Sequence, residues 1–83
     1  MMNTYGVVLF HTSSAALRAE KTLAKAGLVV KLIPTPRELS SDCGIALNFL
    51  WSQAEQIKVL LGAARVEIAG IHPLEEGRGI VPI

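Results

Sequence analysis

The sequence predicts an α+β fold, a two-layer sandwich of two helices on an antiparallel four-stranded sheet. Three observations carry this. Short apolar, β-branched runs alternate with two amphipathic helical stretches in the order strand, helix, strand, strand, helix, strand. Glycine and proline fall at the joints between them. The chain has 83 residues, enough for one domain and one core, and 51% of them are hydrophobic.

Tyr5 to Phe10 is the first apolar run, bounded by His11-Thr12-Ser13-Ser14. It reads as a buried strand. Ser13 or Ser14 can then cap a helix, because a hydroxyl there satisfies free backbone N–H groups. Ala16, Ala19, Leu23 and Ala26 follow at helical spacing, with Arg18, Lys21 and Lys25 on the other side. Gly27 takes the left-handed conformation that ends a helix, and the lysines lie toward the favourable end of its dipole.

Leu28 to Ile33 is a second strand, stopped by Pro34 and Pro36. Thr35-Pro36-Arg37-Glu38 has the form of a capping box and predicts a short helical turn. Residues 34 to 44 form the one long loop, and long loops in small domains are often functional. Ile45 to Trp51 is a third strand. Ser52-Gln53-Ala54-Glu55 reads as a second capping box, opening a helix to about Leu61 with Ala54, Ile57 and Leu61 inward and Gly62 at its end. Val66 to Ile71 is a fourth strand, ended by His72-Pro73. Residues 1–71 are then a single domain, and residues 72–83 a loose tail or an extra edge segment.

The small architecture with this element order is the ferredoxin-like βαββαβ sandwich. Its right-handed crossover makes the first two strands parallel. His11, Thr12, Ser13 and the start of the first helix therefore share a rim with the loop that carries Cys43. His72 is expected at the opposite end of the sheet.

Composition narrows the function. The formal net charge is +1, and the basic residues are scattered among only four aromatic side chains, so nucleic-acid binding is not expected. Charged residues make up 18% of the chain, below the roughly 25% of an average soluble protein. A small domain with few charges has apolar surface left over, which suits a partner or a homodimer. No run approaches the roughly 18 apolar residues of a membrane span. Met1 to Tyr5 lacks the charged start of a signal peptide, and Val7 to Phe10 is too short for its apolar core. The single cysteine rules out an internal disulfide. The cytoplasm is the expected compartment.

Cys43 is the one clear chemical handle. It stands in Ser40-Ser41-Asp42-Cys43-Gly44. A reactive thiolate needs access and a positive or hydrogen-bond-donating setting, which Arg37, loop N–H groups and the nearby helix N-terminus could supply. Gly44 would allow a second sulfur atom or a partner's backbone to approach. Asp42 works against the thiolate. The alternative is that Cys43 is a small buried apolar residue at the start of the third strand. His11 is a proton-transfer partner for the thiol on one reading, and a strand-end histidine bonded to backbone on the other. Arg37 either pairs with Glu38 in solvent or holds an anion. One cysteine and two scattered histidines lack metal-ligand spacing, so no metal is expected. Gly77-Arg78-Gly79 lacks the context of a phosphate loop and no dinucleotide fingerprint occurs, so no cofactor is expected either.

The stretch Phe10-His11-Thr12-Ser13-Ser14-Ala15-Ala16-Leu17-Arg18-Ala19-Glu20-Lys21 and the segment from Leu32 to Leu47, with its Pro-x-Pro-Arg-Glu…Ser-x-Cys-Gly pattern, resemble the DUF3343 family of selenium/sulfur carrier-like proteins. The resemblance reaches about Gly70. It implies a short stand-alone domain in which Cys43 holds sulfur or selenium as a persulfide or selenopersulfide, with Arg37, Ser41 and Gly44 shaping the loop. It also implies a donor resembling a cysteine desulfurase or selenocysteine lyase, and an acceptor enzyme. The rival reading is a small dimeric module that binds an anion or metabolite, with Cys43 structural. A self-contained redox or hydrolytic enzyme has least support, because the thiol has neither a resolving cysteine nor an evident base.

Overall fold

The computed structural model describes residues 4–36, 39 and 43–74. Seven elements follow in order: β1 (Tyr5–Leu9), α1 (Ser13–Lys25), β2 (Lys31–Pro34), β3 (Ile45–Leu50), a single 3₁₀ turn (Trp51–Gln53), α2 (Ala54–Ala63) and β4 (Gly70–Leu74). The sheet order is β2-β3-β1-β4, and every neighbouring pair is antiparallel. This is the ferredoxin-like arrangement of the βαββαβ order. β1 and β2 both run antiparallel to β3, so they are parallel to one another, as the crossover argument requires.

The sequence explains which strands lie inside. β1 and β3 are the most continuously apolar and take the two central places, with Val7, Val8, Leu47 and Phe49 fully buried. β2 and β4 are the edges, and each carries a proline, Pro34 and Pro73. Proline has no N–H to give a ladder, and edge strands have an outer side where none is needed.

Pleating divides the sheet into two faces. Val8, Phe10, Leu47 and Phe49 point toward the helices and form one core with Ala16, Ala19 and Leu23 of α1 and Ala54, Ile57 and Leu61 of α2. The inward stripes of both helices are those their spacing predicts, except that Ala26 caps α1 and is exposed. Gly6 lies on this face beneath the stacked rings of Phe49 and Trp51, whose centroids are 5.9 Å apart. A Cβ on Gly6 would fall 2.6 Å from Trp51 Cε3 and 2.8 Å from Phe49 Cζ. On the opposite face Val7, Leu9, Ala46 and Leu74 form a second cluster, joined by Ile33 and Leu39.

Both helices end in the same way. Gly27 has φ +87°, and beyond it Leu28 N–H donates to Leu23 C=O and Gly27 N–H to Ala24 C=O. This paired set of bonds closes the orphan carbonyls of α1. At the end of α2 the same bonds run from Val66 to Leu61 and from Arg65 to Gly62, with Arg65 in the left-handed position at φ +58°. Gly62 is thus inside α2, and a non-glycine residue takes the strained place expected of glycine. The Arg18 guanidinium, midway along α1, donates to the carbonyl of Ala64, the cap residue of α2, and ties the end of α2 to α1.

Four sequence expectations change. Leu28 to Val30 are not in β2, because Leu28 is drawn into the closing bonds of α1. Trp51 leaves β3 and starts the 3₁₀ turn, and the caps of that turn and of α2 bear no side-chain hydrogen bond, so Ser52 to Glu55 is not a capping box. Val66 to Ala69 are not strand: Val66 is buried against the end of α2, and the ladder starts with Ala69 N–H donating to Leu9 C=O. β4 consequently runs from Gly70 to Leu74 and contains His72, which pairs with Val7 in mid-sheet rather than lying at the far end.

Candidate functional site: the rim around Cys43

Register fixes the rim. Leu9 pairs with Ala46 and with Gly70, and Pro34 pairs with Ile45. The end of β1, the end of β2, the start of β3 and the start of β4 therefore share one edge of the molecule. α1 begins on the same edge, four residues past the end of β1.

Its N-cap is Thr12, whose extended backbone lets the Oγ1 accept from Ala15 N–H at 3.1 Å. The expected caps, Ser13 and Ser14, are instead the first two helical residues. Freed from capping, the Ser13 hydroxyl lies 3.8 Å from Cys43 Sγ, where either atom can donate. The same sulfur accepts from Ile45 N–H at 3.4 Å.

The neck of the Cys43 loop is clamped by Thr35. Its backbone N–H donates to Gly44 C=O at 3.0 Å and its Oγ1 donates to Cys43 C=O at 2.9 Å. Thr35 was readable as the cap of a short helical turn, and the structure gives its hydroxyl a different use. Within the loop, Leu39 N–H donates to Pro36 C=O. Arg37, Glu38, Ser40, Ser41 and Asp42 lie outside the described residues, so their expected roles stay with the sequence.

Cys43 is 4% exposed and belongs to the helix-side core. It is thus buried and at the same time faced by a hydroxyl and a backbone N–H. Gly44 beside it is exposed, and a Cβ there would meet nothing within 4 Å. His11 is an exposed rim residue between the end of β1 and the start of α1. His72 belongs to the middle of β4, away from this edge.

Sequence reasoning brought Ser13 and Cys43 to one rim and missed Thr35 and the Ile45 N–H. A backbone donor has no signature in residue type, and a threonine before a proline looks the same as a cap or as a loop clamp.

Among the described residues, no group of three or more His, Cys, Asp or Glu side chains is placed to hold a metal ion. No described helix is long and apolar enough to cross a membrane.

No curated protein and no solved structure matches the chain. Residues 5–73 match the model of a family described as "Putative Se/S carrier protein-like". The match spans β1 to the penultimate residue of β4 and includes the whole Cys43 rim. The chain therefore belongs to this selenium/sulfur carrier-like family.

Proposed function

We propose that this protein carries sulfur or selenium on Cys43 and passes it between two partner proteins. The observation that supports this reading best is the setting of the one thiol: in a carrier-like family, at the start of a helix, with a hydroxyl and a backbone N–H directed at its sulfur. Both groups can donate to a sulfur anion, which is the nucleophile in thiol–disulfide chemistry.

The chemistry is an exchange without net oxidation. The Cys43 thiolate attacks the terminal sulfur of a donor persulfide. A new S–S bond forms on Cys43 while the donor's own S–S bond breaks, and the donor cysteine leaves as its thiolate. A nucleophile on the acceptor then attacks the terminal sulfur held on Cys43, and Cys43 departs as thiolate. With a selenopersulfide donor the same bonds form and break at selenium. A cysteine desulfurase or a selenocysteine lyase generates such donors. The reduced cytoplasm keeps the accepting thiol free.

Trapping tests this. The protein is incubated with a cysteine desulfurase and cysteine, alkylated and digested. A persulfide adduct on the Cys43 peptide is the expected product. No adduct, or adducts that persist in Cys43→Ser, would refute the carrier reading.

A second reading is favoured by the 4% exposure of Cys43. In it the thiol is core, and the rim binds an anion or metabolite instead. A disulfide reagent added to the native protein separates the two. A carrier thiol reacts well before global unfolding, and a structural one only with it.

A further inference from the structure

Cys43 packs in the helix-side core, yet its sulfur lies 3.8 Å from the hydroxyl of Ser13, an exposed residue. The sulfur is therefore one side chain below the surface. Exchange with a partner's sulfur needs access to the attacking atom. A small outward turn of the Cys43 backbone supplies that access without unfolding the sheet.

Gly44 is the joint at which such a turn is free. It is exposed, and a Cβ placed on it would meet nothing within 4 Å. Glycine also has the widest choice of backbone angles. Beyond it the backbone is held on both sides, because Ile45 pairs with Pro34, and Ala46 with Ile33 and Leu9.

Thr35 locks this joint. It follows Pro34, which has no N–H to give the ladder. The Thr35 N–H donates to Gly44 C=O at 3.0 Å, and its Oγ1 donates to Cys43 C=O at 2.9 Å. These two carbonyls belong to the peptide planes on either side of Gly44, so one residue fixes both. Thr35 stands just past the end of β2, a four-residue edge strand, where local opening costs least.

We propose that Thr35 is a latch on the thiol: its two bonds hold the peptide planes flanking Gly44, and their release turns Cys43 outward to meet a partner's sulfur. The purpose of the latch rests on the carrier reading; the motion does not. Closed, it withholds the thiol from disulfides and thiols in solution. Open, it presents the thiol at the rim.

The rate at which an excess of an aromatic disulfide reagent labels the native protein, followed across urea concentrations, tests the latch. Each Cys43 thiolate forms a mixed disulfide and releases one aryl thiolate, whose absorbance gives the rate. Well below the unfolding transition, wild type is expected to label at a rate nearly independent of urea. Thr35→Val keeps the shape and the N–H but loses the hydroxyl, and should label roughly fivefold faster, the effect of one neutral hydrogen bond. Thr35→Ser should stay near the wild-type rate. Gly6→Ala weakens the sheet near the opposite end of β1 from the rim and should leave the low-urea rate unchanged. Equal rates in wild type and Thr35→Val, or a Thr35→Ser as fast as Thr35→Val, overturn the latch and leave the carrier reading standing. Labelling that rises with urea as steeply as global unfolding, and rises in Gly6→Ala, overturns both. Labelling that follows the latch in a protein that takes up no persulfide sulfur supports the latch and overturns the carrier reading alone.

Discussion

The Ser13 hydroxyl and the Cys43 sulfur, 30 positions apart in the chain, lie 3.8 Å from each other where α1 begins. The capping choice makes this contact. Thr12 satisfies the Ala15 N–H, so the next hydroxyl is left to face the thiol.

Ser13→Ala removes the hydroxyl that faces the sulfur. A hydrogen bond to the developing thiolate of about 1 kcal/mol corresponds to roughly a fivefold slower transfer. Single-turnover persulfide loading measures this, and chemical denaturation should show little change, because Ser13 is exposed and does not cap the helix.

Gly6→Ala should be among the most damaging single changes in the sheet. The added methyl would press on Trp51 and Phe49 side chains and come within 3.0 Å of the His72 carbonyl. The rings can shift, but backbone on the other side cannot, so a loss of about 1–3 kcal/mol is expected. Thermal or urea unfolding reads it directly.

Arg65→Gly should stabilise the fold. Arg65 has φ +58° in the motif that ends α2, a conformation glycine adopts without strain. A gain of about 0.5–1 kcal/mol is expected, and Arg65→Ala should give none of it, since alanine keeps the Cβ that causes the strain. The two variants compared by urea titration isolate the backbone term from loss of the side chain.

The sequence foretold much of this architecture, and the reasons it failed elsewhere are specific. Helix stripes such as Ala54, Ile57 and Leu61 were legible because burial on one side imposes a spacing on residue types. The common rim of Ser13 and Cys43 was legible because the handedness of the crossover settles which strand ends meet. β4 was misplaced because Val66 and Ile68 alternate like a strand while Val66 packs against the end of α2. The prolines told more than their usual reading allowed: Pro73 seemed to end a strand, yet it sits inside one, on an edge. Arg65 was invisible because nothing in its type announces a positive φ. The burial of Cys43 is not legible in its residue type, since a free cysteine next to glycine fits a core or a reactive loop equally well.

That burial makes the fate of the thiol the deciding question. The intact mass of the protein after incubation with a persulfide-loaded cysteine desulfurase measures it most directly. The carrier account predicts that wild type gains the mass of one sulfur atom, lost again on reduction, and that Cys43→Ser gains none. A wild-type mass that stays unchanged, or an equal gain in both proteins, would contradict it.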